Sequence, residues 1–378
     1  MLSKKLWIFP LLFGVIGSLI GLILRYAFTG NLTGFPFKYF LHAHSHVMLL
    51  GFLFNALLTL IWINFTKTID KISYRYYIAM QFCMAIMLIA FLLQGYAVYS
   101  ILFSTLHLWL SYILLIRLWK RLEGSKTTLL LLKIGIFFHF LSSLGPYALG
   151  PLMVLNLKSS PWYQQSIFFY LHFQFFGVYF TWFIALLAKK AKINLSKNVV
   201  IYLAISMIFL FSHSLDYSFD HWIINFTGAI GAILLFLILL RFRLKFLHLD
   251  WSLKVIYYIT LTIAIINIAG SFPYVADLLV NNRFVLIAWL HFLFLGLYVP
   301  FIWIFMNRKI HFIVWLLYAV SVLLSELFLV FTESFSNWFS ISIMDLLFLA
   351  YLGIFLSMII VHSFFIFQTK GAEKLNKV

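Results

Sequence analysis

The decapeptide YLHFQFFGVY at residues 170–179 aligns without a gap on WLHFLFLGLY at residues 289–298. The two share Leu-His-Phe, a later Phe, a Gly and a Tyr, so His172 and His291 are each followed five residues later by a glycine, Gly177 and Gly296. A shorter echo, HVMLLGF from His46 to Phe52, repeats that spacing with Gly51. Recurrence at a fixed interval reveals architecture before any single residue does. Each copy opens an apolar stretch, and the spacing H-x4-G places a residue with no side chain about 1.4 turns beyond an imidazole, where a helix or a flat ring can approach closely.

The apolar stretches around these copies number about twelve. Windows of about 20 residues, enough to cross a hydrocarbon core at 1.5 Å per residue, fall roughly at 6–24, 41–64, 76–98, 99–119, 127–150, 164–188, 198–214, 222–242, 253–271, 283–306, 311–330 and 341–366. The three copies then lie on the second, sixth and tenth helices, a period of four. The expected fold is an all-α polytopic membrane protein, with about twelve transmembrane helices in a pseudo-threefold bundle of three by four. Residues 1–378 form a single transmembrane domain. The first apolar run follows Lys4 and Lys5 as a signal peptide would. It is long enough to span and lacks a small-residue cleavage pattern before Arg25, so it reads as a retained first helix.

Composition agrees, with 64% apolar residues and only 10% charged, against about 25% charged in soluble domains. The net charge of +17 is a matter of topology and not of nucleic-acid binding. With a cytoplasmic N-terminus, the inside segments collect 22 of the 27 lysines and arginines, Arg308, Lys309 and Lys377 among them; the outside keeps Arg25, Lys38, Lys158 and Arg283, with Lys133 near a helix start. That asymmetry satisfies the positive-inside rule with both termini cytoplasmic, as in a bacterial inner-membrane protein. The one cysteine, Cys83, excludes an intrachain disulfide, a thiolate zinc site and covalent c-type heme attachment.

Counting rise from the helix ends puts His46 and His291 about 12 Å below the outer boundary, with His172, His107 and His139 at similar depth. His213 lies near the outer end of the seventh helix, and His42, His44 and His221 also fall in the outer half. Polar groups in lipid are costly and face a cavity, a partner or a cofactor. Imidazole is a common axial ligand for heme and a good one for copper or zinc. Among carboxylates only Glu326 sits well inside a helix, as a candidate on a proton path; Asp216 and Asp220 fall in the outer loop after the seventh helix.

This pattern resembles subunit I of the heme-copper oxidase superfamily, whose twelve helices form three arcs of four with hemes in the outer half. The resemblance implies a low-spin heme between the second helix and the second histidine of an H-x-H on the tenth. WLHFLFLG keeps that position as His291 and has Trp289 at the first, which would ligate the high-spin heme. In LHAHSHVMLLGFLFN, spacing to Asn55 selects His44, whereas the internal repeat and the depth count select His46. The family's copper or non-heme iron draws on helix 6, here His172, and on a His-His pair of helix 7. In SHSLDY that pair has His213 in the leading place and Ser214 in the second. Met207 stands where a tyrosine is expected, and no helix 6 glutamate of the reductase kind is present. His107 and His139 complete the candidate metal set.

The chain also resembles the NnrS-like membrane proteins, associated with nitric oxide stress and with heme or copper, through HAHSHVMLLGF and LHFLFLG. The two resemblances imply a non-covalent b-type heme, copper or non-heme iron as a second centre, and a redox partner protein or further respiratory subunits. The implied role is electron transfer or nitric-oxide-related redox chemistry instead of full oxygen reduction, which would make any activity that of an oxidoreductase. The competing reading is a membrane transporter handling copper or another metal through the same histidines.

Overall fold

A computed structural model describes all residues except 1, 216–221, 307–309, 333–334, 336–340 and 376–378. His221, Asp216, Asp220, Arg308, Lys309 and Lys377 therefore lie outside the described residues. The chain is 85% helical, with no strand among the described residues. Among the described residues, twelve helices are long and apolar enough to cross a membrane: α1 Lys5–Ala27, α2 Phe37–Phe65, α3 Lys71–Gln94, α4 Val98–Trp119, α5 Lys126–Val154, α6 Pro161–Lys190, α7 Lys197–Ser214, α8 Ile224–Arg241, α9 Trp251–Ala269, α10 Arg283–Phe305, α11 Phe312–Val330 and α12 Ile343–Phe367. This is the all-α, multi-pass membrane protein expected from the sequence. In lipid a backbone must satisfy its own polar groups, and helices of this length do so.

Short polar punctuation sets the helix ends. Asp70 accepts from the backbone N–H groups of Ile72 and Ser73 ahead of α3. Ser125 caps α5 through Thr128 N–H, and Ser196 caps α7 through Val199 N–H. Ser160 precedes Pro161 at the first turn of α6, where a missing N–H costs nothing. The third window runs past the observed end of α3 because Gly95 takes φ 63°, a left-handed conformation that stops the helix at Gln94.

The helices gather into two compact units. The first holds residues 1–63, 68–114 and 283–378; the second holds 64–67 and 115–282. Within the first, α2 is the enclosed helix, 89% of its apolar window being buried, whereas α11 is 22% buried and presents an apolar outer face. Within the second, α6 is enclosed to the same 89%. Exposed apolar side chains such as Phe312 and Leu323 on α11 belong against lipid.

The internal repeat has a structural form. Each copy is a π-helical insertion beginning directly after the histidine: Val47–Phe54 in α2, Phe173–Tyr179 in α6 and Phe292–Tyr298 in α10. Such insertions are uncommon and concentrate at functional sites. In two of the copies a side chain four residues on bonds back to the carbonyl of the repeat glycine. Asn55 Nδ2 donates to the Gly51 carbonyl at 2.9 Å, and Thr181 Oγ1 donates to that of Gly177 at 2.6 Å. The third position is Pro300, which has no N–H to offer.

Candidate functional site

The polar cluster of the first unit is assembled from five helices. On α2, His44 turns toward α1 and donates from Nδ1 to the Gly17 carbonyl at 2.9 Å. The approach depends on small residues, since a Cβ on Gly17 would lie 2.3 Å from Met48 Sδ. A Cβ on Gly21 would lie 2.1 Å from the Tyr351 hydroxyl and 2.8 Å from His44 Cε1. Glycines at this spacing let membrane helices meet at backbone distance.

On α10, Nδ1 of His291 lies 3.2 and 3.3 Å from the two carboxylate oxygens of Glu326 on α11. Arg25, at the end of α1, brings Nη2 to 3.4 Å from the same nitrogen, and its guanidinium lies 5.7 Å from the ring centres of both Phe28 and Tyr351. Arg25 is only 5% exposed. Its charge is offset by the neighbouring Glu326 carboxylate, and His44 lies within the electrostatic reach of both Arg25 and His291. Among the described residues, Nε2 of His44 and Nε2 of His291 have no hydrogen-bond partner.

His46 faces a different neighbour. Its Nδ1 donates to the His42 carbonyl at 2.9 Å, its Nε2 accepts from the Tyr96 hydroxyl at 3.3 Å, and its ring packs on Phe91 at 4.4 Å. His42 packs edge-on against Tyr96 at 4.6 Å. Of the two second-helix candidates, His44 is the one directed into the cluster with His291, while His46 is engaged with α3.

The candidate metal set is tied into helix contacts. In the second unit, His172 donates from Nε2 to the Met207 carbonyl at 2.8 Å and faces Ser214 Oγ at 3.4 Å through Nδ1, so both nitrogens are occupied. His139 accepts at Nδ1 from Gln174, which also donates to Ser142. His213 meets Ser271 Oγ at 3.1 Å through Nε2. His107, in the first unit, is a buried residue of α4. Among the described residues, no group of three or more His, Cys, Asp or Glu side chains is close enough together to hold a metal ion. Within the second unit, hydrogen bonds to neighbouring segments hold His172, His139 and His213.

The buried imidazole of His362 on α12, in the first unit, is likewise saturated: Nδ1 donates to the Leu11 carbonyl at 3.0 Å and Nε2 accepts from Trp303 at 3.1 Å.

Sequence reasoning treated Arg25 as an outer loop charge and did not single out Tyr351. The available signal for Arg25 was electrostatic: it falls in the last turn of an apolar run that ends on the same side as the run carrying Glu326, and buried opposite charges seek each other. Tyr351 carried no comparable signal in a chain with 20 tyrosines. Compared with known protein families and with curated proteins, the chain matches none.

Proposed function

We propose that this chain is a heme-binding integral membrane protein of heme-copper-oxidase-like architecture, whose role is electron transfer, with His44 of α2 and His291 of α10 as axial ligands of a non-covalent b-type heme. The observation that carries the reading is the division of labour within the two imidazoles. Metal-ligating histidines almost always donate their second nitrogen to a carbonyl or carboxylate, which fixes the ring and its tautomer. His44 does so with Gly17 and His291 with Glu326, and each keeps Nε2 uncommitted.

The donor set fits the group. Two imidazoles suit iron porphyrin, and the buried Arg25 supplies a cation beside them of the kind that pairs with a carboxylate-bearing ligand. When bound, the group supplies reversible one-electron chemistry. The residues of this chain would orient the two imidazoles and hold their protons on Nδ1, through the Gly17 carbonyl and the Glu326 carboxylate. With both imidazoles given to the iron, the group would supply electron transfer in place of gas binding. The charge asymmetry of the loops supports a bacterial inner-membrane setting with both termini cytoplasmic, and a redox partner protein would meet the chain there.

The test is heme content. Protein purified in mild detergent is assayed by pyridine hemochrome, beside His291→Ala. The reading expects b-type heme in the wild type and its loss in the variant. Protein without a Soret band, obtained from cells supplied with heme precursor, contradicts it.

A further inference from the structure

We infer that Glu326 is a positioning residue whose carboxylate, hydrogen-bonded to Nδ1 of His291, sets the reduction potential of the heme that His291 ligates. This rests on the bis-histidine reading and extends it to the polar group behind the ligand.

Both oxygens of Glu326 are directed at one imidazole nitrogen, at 3.2 and 3.3 Å. A carboxylate present only to neutralise Arg25 would form a direct, preferably bidentate pair with it. Here no such hydrogen bond links them among the described residues; the guanidinium instead lies over the rings of Phe28 and Tyr351. Nη2 of Arg25 also lies 3.4 Å from this Nδ1, but a guanidinium only donates, so an Nδ1 that gives its proton to Glu326 does not accept from it; in that tautomer Arg25 contributes its field and the carboxylate accepts the ligand's proton. The side chains of His291 and Glu326 are 21% and 15% exposed, so their interaction is screened much less than one at a surface.

A carboxylate accepting the Nδ1 proton raises the basicity of the imidazole. A more basic ligand favours the oxidised iron, which carries one more positive charge than the reduced form, and so lowers the potential. The two ligands are then unequal. His44 donates to a neutral carbonyl, that of Gly17, whereas His291 donates to a charge.

The experiment is a redox titration of the heme band in purified wild type, Glu326→Gln, Glu326→Asp and Ser321→Ala, with heme content measured on each sample. Glutamine keeps an acceptor and removes the charge. The inference expects Glu326→Gln to retain heme and shift the midpoint positively by at least a tenfold change in the reduction equilibrium, about 59 mV for one electron. Glu326→Asp, which keeps the charge, and Ser321→Ala, elsewhere on α11, stay near wild type.

A full heme load in Glu326→Gln with an unmoved midpoint overturns the inference and leaves the heme reading standing. If Glu326→Gln loses heme, retention of heme and potential by Glu326→Asp supports a role for the charge, and equal loss in both variants overturns it. A wild type without heme removes the reading on which the inference is built.

Discussion

Replacing Gly21 by alanine puts a methyl group into the tightest contact of the candidate site. The new Cβ would lie 2.1 Å from the Tyr351 hydroxyl and 2.8 Å from Cε1 of His44. Carbon and oxygen atoms at rest stay about 3.5 Å apart, so the phenol must retreat by more than about 1 Å. Tyr351 is buried. His44 cannot yield without stretching its bond to the Gly17 carbonyl.

Two effects oppose each other. Alanine gains about 1 kcal/mol over glycine in a helix interior, while overpacking a close-packed contact costs about 1–3 kcal/mol. The clash offsets or outweighs the propensity, and a net loss of up to about 2 kcal/mol is expected, together with reduced heme occupancy if His44 is a heme ligand, since the methyl presses on its ring. Gly270→Ala is the control: φ there is −63° and a Cβ meets only carbonyl oxygens at 3.5 Å, an ordinary contact, so stability holds or rises. Thermal unfolding in detergent, followed by the intrinsic fluorescence of the 12 tryptophans, is read beside the Soret absorbance. If Gly21→Ala is as stable and as fully loaded as the wild type, the packing argument for His44 is refuted.

Gly145→Ala should destabilise the second unit more severely, by about 2–3 kcal/mol at the upper end of overpacking. Its Cβ would fall 2.3 Å from the Ser166 carbonyl, a backbone atom that moves only if α5 and α6 part; an unchanged melting temperature contradicts this. Asn55 and Gln81 exchange hydrogen bonds of 2.8 and 3.1 Å in a buried position. Replacing either with leucine strands its partner, at about 1–3 kcal/mol each, so the double variant should lose less than the sum of the two. Strict additivity in a denaturation cycle rules out the coupling. In a Cys83→Ser background, a cysteine replacing Lys126 should react with a membrane-impermeant maleimide only in inverted vesicles, and one replacing Lys158 only in intact cells. The opposite pattern reverses the topology.

The twelve spans were legible because hydrophobic length and charge asymmetry are properties of whole segments, insensitive to any one contact. The H-x4-G repeat was legible as spacing, but its cause was not: a π-helical insertion is defined by backbone hydrogen bonds. The choice between His44 and His46 stayed open in sequence because spacing to Asn55 selects the first, whereas the internal repeat and the depth count select the second. The side to which each ring turns depends on what stands opposite, Gly17 for one and Tyr96 for the other. Likewise the occupation of His172 by the Met207 carbonyl is a long-range contact that local spacing does not encode. Arg25 shows the same limit from the charge side, since counting it toward topology concealed its place beside His291.

The most direct test of the central claim is the reduced-minus-oxidised absorption spectrum of His44→Ala measured beside that of His46→Ala. The bis-histidine account predicts that His44→Ala loses the low-spin heme signal or converts it to a high-spin one, whereas His46→Ala, which forfeits a bond to Tyr96, keeps a spectrum like the wild type. A normal low-spin spectrum in His44→Ala, with the signal lost in His46→Ala, would contradict it.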